Sequence, residues 1–240
     1  MIQPIQSKSL NLKVADIILV KMFEKEREEL IEHLIRWGYL RKPEVIKAFK
    51  NVPRHEFVPE NVGDYSYADQ PLSIGHGQTI SAPSMIAIMM ESLDFACGQK
   101  VLEIGAGSGY NAALTAEIVG EKGKVITIER VAELAGFAKS NLERTGYGRV
   151  KVVVGDGTRG YKKEAPWDRI LVTACAPNLP KPLTEQLKIE GKLGAPVGQH
   201  YMFQTWTVVE KLDGGKLKIQ EHGGCSFVPL IGEYGWKKED

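Results

Sequence analysis

Between residues 101 and 187 the chain alternates short apolar runs, rich in β-branched residues, with segments of helical periodicity. Runs of this length suit buried strands, and the helical segments are long enough to cross back over a sheet. Such alternation is typical of a doubly wound, mostly parallel α/β sheet. The pattern predicts strands over 101–104, 124–128, 150–154 and 169–173, and helices over 111–119, 133–144 and 183–187.

The segments that flank this alternation have other patterns. Helical patterns over 24–37 and 43–49 precede it, and a further helix begins after Ser81 with Pro83 in its first turn. A strand over 192–196 comes after it, and strands over 204–211 and 216–221 flank the turn sequence Asp213-Gly214-Gly215, which predicts an antiparallel hairpin. We therefore predict a single α/β domain over 22–240, preceded by an N-terminal extension over 1–21.

The charge of the chain is almost balanced, since 31 Lys and Arg residues against 30 Asp and Glu residues give a net charge of +1. Because nucleic-acid-binding surfaces are typically basic, we predict no nucleic-acid partner. The apolar run over 14–20 contains Asp16 and is far shorter than the ~20 residues that span a bilayer, so we predict no membrane association. Three widely separated cysteines fit reduced thiols, which predicts a cytoplasmic protein.

A glycine-rich turn follows the first predicted strand of the alternation. Gly105, Gly107 and Gly109 lie between this strand and a helix, where glycines let the backbone approach a ligand. Glu129 ends the next strand, at the position where a carboxylate accepts hydrogen bonds from ribose hydroxyls. The GxGxG spacing differs from the GxGxxG pattern of dinucleotide sites. The carboxylate of Glu103 also suits a ligand with an amino group and a sulfonium better than a pyrophosphate.

S-adenosylmethionine meets both requirements, and we predict it as the cofactor, with S-adenosylhomocysteine as its product. Asp156 and Gly157 follow the third strand, where an acidic side chain is placed to accept from an adenine amino group. The alternative is that the glycines form only a tight turn and that Asp156 only caps a loop.

Several motifs together resemble the protein-L-isoaspartate O-methyltransferase family, from about residue 22 to residue 236. VLEIGAGSGYNAAL resembles the first motif of Rossmann-like methyltransferases in general, whereas the loop GQTISAP is specific to this family. The sequences VVVGDG, WDRILVTACAP and FVPLIGEYGW resemble further family motifs. This resemblance implies a Rossmann-like fold and methyl transfer to the free α-carboxylate of L-isoaspartyl residues in damaged proteins, which starts their repair through a succinimide.

The resemblance also implies the acceptor site. Ser81 matches the family's active-site serine, Thr79 and Ile80 lie on the same loop, and Val228 matches a segment that contacts the peptide through its backbone. The alternative for Ser81 is an ordinary helix N-cap, and for Val228 a buried strand. Ser84 departs from the family, which often has histidine there, and this puts any cofactor contact by that side chain in doubt.

Two other functions remain open at this point. One is a methyltransferase of the same fold acting on a small molecule or RNA, and the other is a non-catalytic protein that binds the cofactor and a partner. A nicotinamide dehydrogenase is a third, weaker alternative. The histidines show no metal-ligand spacing, so we predict no metal site. The partners that we predict are isoaspartyl-containing proteins and peptides, bound by a monomer.

Overall fold

A computed structural model of the chain describes residues 6–199 and 202–237, with side chains from residue 21 onward within these ranges. The α-helices are α1 (Gln6–Arg36), α2 (Pro43–Asn51), α3 (Pro83–Leu93), α4 (Tyr110–Val119), α5 (Ala132–Arg144) and α6 (Lys181–Gln186). The strands are β1 (Leu72–Gly75), β2 (Gln78–Ile80), β3 (Lys100–Ile104), β4 (Lys124–Glu129), β5 (Lys151–Val154), β6 (Trp167–Val172), β7 (Leu187–Gly198), β8 (Gln204–Lys211) and β9 (Leu217–Cys225).

The main sheet has the strand order β5-β4-β3-β6-β7-β8-β9. Neighbours from β5 to β7 pair in parallel, whereas β7, β8 and β9 pair antiparallel. The predicted mostly parallel α/β sheet with a C-terminal antiparallel hairpin is therefore confirmed. Strand order reverses at β3, which lies between β4 and β6, and ligands of such sheets bind at the carboxyl ends of the strands beside this point.

Both faces of the sheet are covered. Alternate residues of β3 point to opposite faces, so that Val101 joins one buried apolar cluster and Leu102 and Ile104 join another. The first cluster includes Met89 and Met90 of α3, which explains why that helix is apolar nearly all round. The sheet is thus rigidly packed beneath the strand ends that carry the predicted site.

The N-terminal helix is longer than predicted. Its pattern predicts a helix over 24–37, but α1 extends from Gln6 to Arg36 without a break at residue 21. Residues 1–5 and the side chains of residues 6–20 lie outside the description. The division into an extension and a domain stays a prediction. Within the described part, Phe23 stacks on His55 with ring centroids 4.3 Å apart, and Leu34 is fully buried.

The proline- and glycine-rich segment from residue 51 to residue 82 has more regular structure than its composition suggests. It contains the short 3₁₀ helix Arg54–Phe57 and the antiparallel hairpin of β1 and β2, in which Leu72 pairs with Ile80. Gly75, His76 and Gly77 all have positive φ values, which allows the tight connection between the strands. In the part of the chain that the structure describes, no helix is long and apolar enough to cross a membrane.

Candidate active site

A cleft of about 740 Å³ opens at the carboxyl ends of β3, β4 and β6. Its walls combine these strand ends with Gly157 and with three distant parts of the chain: the loop that begins in β2, the glycine turn after β3, and the C-terminal segment over 228–231. Of the residues predicted from sequence, Thr79, Ile80, Ser81, Gly105, Gly107, Glu129, Gly157 and Val228 line the cleft.

Gly105 begins the glycine turn with a φ of +96°, a conformation that side chains rarely adopt. A Cβ atom at this position would lie 2.4 Å from Thr173 Oγ1. This hydroxyl donates to the carbonyl oxygens of Ile104 and Gly105, over 3.0 and 2.8 Å, and so ties the turn to the end of β6. The close approach of Thr173 therefore requires glycine at residue 105.

Glu129, at the end of β4, is buried and holds the same turn from the other side. Its Oε2 accepts from the backbone N–H of Gly107 over 3.0 Å, and its Oε1 accepts from the N–H of Val131 over 3.0 Å. A carboxylate oxygen has more than one lone pair, so each retains capacity for a ligand hydroxyl. The structure thus brings together the glycines and the carboxylate that the motif predicts for a nucleoside.

Gly109 has a different role from the predicted one. It is not among the described residues that line the cleft, and it forms the N-cap of α4 with a φ of +89°. A Cβ atom here would lie 3.1 Å from the carbonyl oxygen of Ala138 and 3.2 Å from Leu142. The glycine therefore lets α4 pack against α5, and a direct ligand contact has no support from the geometry.

Glu103 lies inside the sheet, where its register partner is the buried Thr127 of β4. It is not among the described lining residues, and Thr127 is the described residue whose side chain acts on its carboxyl by hydrogen bonding. Burial raises the pKa of this carboxyl to about 8, and the negative charge of Glu129 adds to the rise. Direct contact between Glu103 and a cofactor, the predicted role, is not what this geometry provides.

Asp156 faces the C-terminal segment rather than the cleft. Its Oδ1 accepts from the N–H and the hydroxyl of Thr158, over 2.9 and 2.6 Å, and its Oδ2 accepts from the N–H of Glu233 over 2.8 Å. Burial raises the pKa of Asp156, but these hydrogen bonds outweigh it and the net shift is downward. The carboxylate caps a turn, the alternative that the sequence left open, and only Gly157 reaches the cleft.

Ser81 lines the cleft just before α3. The N-cap of α3 is Ala82, so the alternative of Ser81 as helix cap is wrong. The cap is supplied from a distance instead, because Asp69 Oδ1 accepts from the N–H of Ser84 over 2.8 Å. Within the described ranges the Ser81 hydroxyl has no hydrogen-bond partner, while the Ser81 carbonyl oxygen accepts from Arg54 Nη2 over 2.9 Å. A fixed backbone therefore presents an unengaged hydroxyl to the cleft.

Val228 forms part of the opposite wall. Its carbonyl oxygen accepts from the N–H of Cys175 over 2.7 Å, and Pro229 forms an isolated bridge with the same cysteine. Val228 is half-buried and lies outside the strands, so the alternative of an ordinary buried strand is wrong. This wall therefore consists of irregular backbone that is hydrogen-bonded to the segment directly after β6.

The family model for protein-L-isoaspartate(D-aspartate) O-methyltransferase matches residues 25–235. The chain belongs to this family. The predictions of the family, of an O-methyltransferase and of S-adenosylmethionine as its cofactor are thereby confirmed.

Relatives of the family cover nearly the whole chain. A protein-L-isoaspartate O-methyltransferase from Methanopyrus kandleri is 57% identical over 221 residues, which cover 92% of this chain and 97% of the relative. One from Staphylothermus marinus is 54% identical over 222 residues, covering 90% and 98% of the two chains.

Solved structures of the family have the same fold. One protein-L-isoaspartate O-methyltransferase aligns with a TM-score of 0.80 and 34% identity, covering 87% of this chain and 67% of the other. A Plasmodium falciparum protein of the same name, in complex with S-adenosyl-L-homocysteine, aligns with a TM-score of 0.77 and 28% identity, covering 85% and 98%.

The site also contains residues that the sequence analysis did not single out. Tyr110 and Asn111 at the start of α4 line the cleft, and the Asn111 Oδ1 atom is buried with no partner in the described part of the chain. Their position directly after the glycine turn was an available signal. Arg54, which holds the Ser81 carbonyl, had no such signal, because it lies 27 residues before Ser81. Among the described residues no group of three or more His, Cys, Asp or Glu side chains is placed to hold a metal ion, and the absence of a metal stays a prediction.

Proposed function

We propose that the protein transfers a methyl group from S-adenosylmethionine to the free α-carboxylate of L-isoaspartyl residues, and that Ser81 positions the acceptor. The observation that carries this proposal is the shared cleft: the unengaged Ser81 hydroxyl and the turn held by Glu129 open into the same space. Family membership supports the reaction, and the geometry supports the division of the cleft into two halves.

The cofactor half of the cleft is formed by the glycine turn and the end of β4. Gly105 and Gly107 line the cleft with backbone only, and the positive φ values of both residues shape the turn. Gly105, Gly107, Glu129 and Gly157 would hold S-adenosylmethionine there. When bound, it supplies a methyl group activated by attachment to a sulfonium sulfur.

The acceptor half is formed by Thr79, Ile80, Ser81 and Val228. A carboxylic acid with an ordinary pKa of about 3–4 is ionised at neutral pH, so the acceptor needs no general base. No histidine is present among the described residues of the cleft wall, which agrees with this chemistry. The remaining requirement is orientation of one oxygen toward the methyl group, an effect that can lower a barrier by up to ~7–11 kcal/mol.

The partners follow from the same site. We expect isoaspartyl-containing proteins and peptides as substrates and a monomer as the active unit, and the residues of one chain already form both the cofactor half and the acceptor half of the cleft. Cys97, Cys175 and Cys225 are free thiols, which supports a reducing compartment such as the cytoplasm.

The decisive experiment measures transfer of labelled methyl from S-adenosylmethionine to a short L-isoaspartyl peptide and to the same peptide with normal L-aspartate. Both peptides have a free carboxylate, so only geometry distinguishes them. We expect label on the isoaspartyl peptide alone. Label on neither peptide, with calorimetric binding of the cofactor intact, would contradict the proposal and favour another acceptor or a binding role.

A further inference from the structure

Arg54 is a fully buried cation beside the acceptor loop. It begins the 3₁₀ helix Arg54–Phe57, and its side chain is 0% exposed. Its Nε donates to the carbonyl oxygen of Ser66 over 2.8 Å, and its Nη2 donates to that of Ser81 over 2.9 Å. The buried Nη1 has no hydrogen-bond partner in the described part of the chain.

The charge of this guanidinium is not balanced by a carboxylate. Of the ion pairs among described residues, none includes Arg54. Asp69 is the acid that acts on it, but Asp69 is exposed and its Oδ1 accepts from the N–H of Ser84. Burial lowers the pKa of Arg54 to about 10, so the group is still a cation at neutral pH. Two carbonyl oxygens and the face of the Tyr110 ring contact the guanidinium but carry no full negative charge, and a bound anion would further offset the cost of burying the cation.

Two residues that line the cleft, Ser81 and Tyr110, lie against this cation. The guanidinium carbon lies 5.3 Å from the centre of the Tyr110 ring, and both Tyr110 and Ser81 line the cleft. Tyr110 is itself buried, so the wall between Arg54 and the cleft is an environment of low dielectric constant. Coulombic attraction acts more strongly through such a low-dielectric wall than through water.

We propose that Arg54 is a positioning residue that selects the anionic acceptor over its neutral methylated product. The inference rests on the proposed function. Arg54 fixes the Ser81 backbone through one hydrogen bond, and its remaining positive charge attracts the acceptor carboxylate across the wall of the cleft.

The charge balance of the reaction explains why this selects between substrate and product. A carboxylate oxygen forms a bond to the methyl carbon with its own electron pair, while the bond from that carbon to the sulfonium sulfur breaks and leaves its pair on sulfur. No proton moves. One negative and one positive charge disappear, so the ester that forms is no longer attracted to Arg54. The cation therefore strengthens substrate binding without slowing release of the ester.

The test compares Arg54→Met and Arg54→Lys with the wild-type chain, and with Arg41→Met, which removes one positive charge from an exposed position. The substrate is the L-isoaspartyl peptide, and the second ligand is its neutral α-carboxamide analogue, used as a competitive inhibitor. We expect Arg54→Met to raise the KM for the peptide at least tenfold while kcat and the inhibition constant of the carboxamide change less than threefold. Arg54→Lys should restore most of the affinity, and Arg41→Met should behave as wild type.

A measurement on the wild-type chain keeps the proposal testable even if Arg54→Met does not fold. The wild type should bind the carboxylate peptide at least tenfold more tightly than the carboxamide. Equal affinity of the wild type for the two ligands would overturn the proposal. The proposal would also be overturned if Arg54→Met lost affinity for the carboxylate peptide and for the carboxamide to the same extent, because that result indicates a merely structural role. If the wild type methylates no isoaspartyl peptide, the proposed function itself fails, which is a separate outcome.

Discussion

Ser81 combines a restrained backbone with an unengaged side chain. Arg54 accounts for the restraint, since its Nη2 donates to the Ser81 carbonyl oxygen, and Asp69 relieves Ser81 of capping α3 by accepting from the N–H of Ser84. A serine that is neither cap nor hydrogen-bonded to its surroundings within the described structure has its hydroxyl available for a ligand. Its predicted role is therefore positioning of the acceptor.

We expect Ser81→Ala to lower kcat/KM for the isoaspartyl peptide by about 10- to 150-fold, because a hydrogen bond to a charged group contributes ~1.5–3 kcal/mol. The KM for S-adenosylmethionine should stay unchanged. Steady-state kinetics with both substrates varied measures these values. Ser73→Ala, an exposed serine of β1 outside the cleft wall, is the matched control, and full turnover in Ser81→Ala would refute the assignment.

A substitution at Gly105 tests whether the glycine turn depends on this single residue. Gly105→Ala introduces a Cβ 2.4 Å from Thr173 Oγ1 at a φ of +96°, whereas Gly146→Ala has a similar φ of +84° with open space around the added atom. Backbone strain costs about 1–3 kcal/mol in either variant, and only Gly105→Ala adds a collision. We expect a larger loss of unfolding free energy in urea, and loss of calorimetric cofactor binding, for Gly105→Ala alone. Equal losses in the two variants would show that the approach of Thr173 does not matter.

At the scale of the elements, β3 and β4 enclose an ionisable group in the middle of the sheet. Glu103 and its register partner Thr127 are both buried, and the hydrogen bond from the Thr127 side chain only partly offsets the effect of burial on the Glu103 carboxyl. Burial raises the pKa of Glu103 from 4.5 to about 8. The folded protein thus holds a proton between these two pH values that the unfolded chain has released.

This linkage predicts that the free energy of unfolding falls as pH rises from about 4.5 to about 8, by up to ~5 kcal/mol, and is level above that range. The sign follows because the folded state binds the extra proton. Glu103→Gln should flatten this slope, measured by urea unfolding at several pH values. Glu133→Gln, an exposed acid in the first turn of α5, is the control. An unchanged slope in Glu103→Gln would contradict the prediction.

The elements also show where sequence reasoning succeeds and where it does not. The strands and helices from β3 to β8 follow from local periodicity, because each buries one face or both faces on the sheet. The residues at the strand ends, such as Glu129 and Gly157, follow from the topology of parallel sheets. Contacts between distant segments do not follow from either, which is why the hydrogen bonds of Asp156 to the C-terminal segment and of Arg54 to Ser81 could not be predicted.

For the whole molecule, the N-terminal boundary is open to a direct test. The family model begins at residue 25, and the buried apolar side chains of the described part of α1 extend from Phe23 to Leu34. We expect a chain that starts at Met22 to keep full turnover and a melting temperature within a few degrees of the wild type. Phe23→Ala in the full chain should instead lower the free energy of unfolding by about 3 kcal/mol, because it removes the stack on His55. A large fall in melting temperature for the shortened chain would show that residues 1–21 belong to the domain.

The cleft draws on chain segments near residue 80, near residue 105 and near residue 228, and this has a consequence for synthesis on the ribosome. Proteins are made from the N-terminus, and their early parts begin to fold before the rest emerges. A nascent chain can form the glycine turn while the wall that contains Val228, Pro229, Leu230 and Ile231 is still missing. A complete acceptor half therefore requires the chain to have been made beyond residue 231, and we expect a product that stops before residue 228 to lack methyl transfer even where it binds the methyl donor.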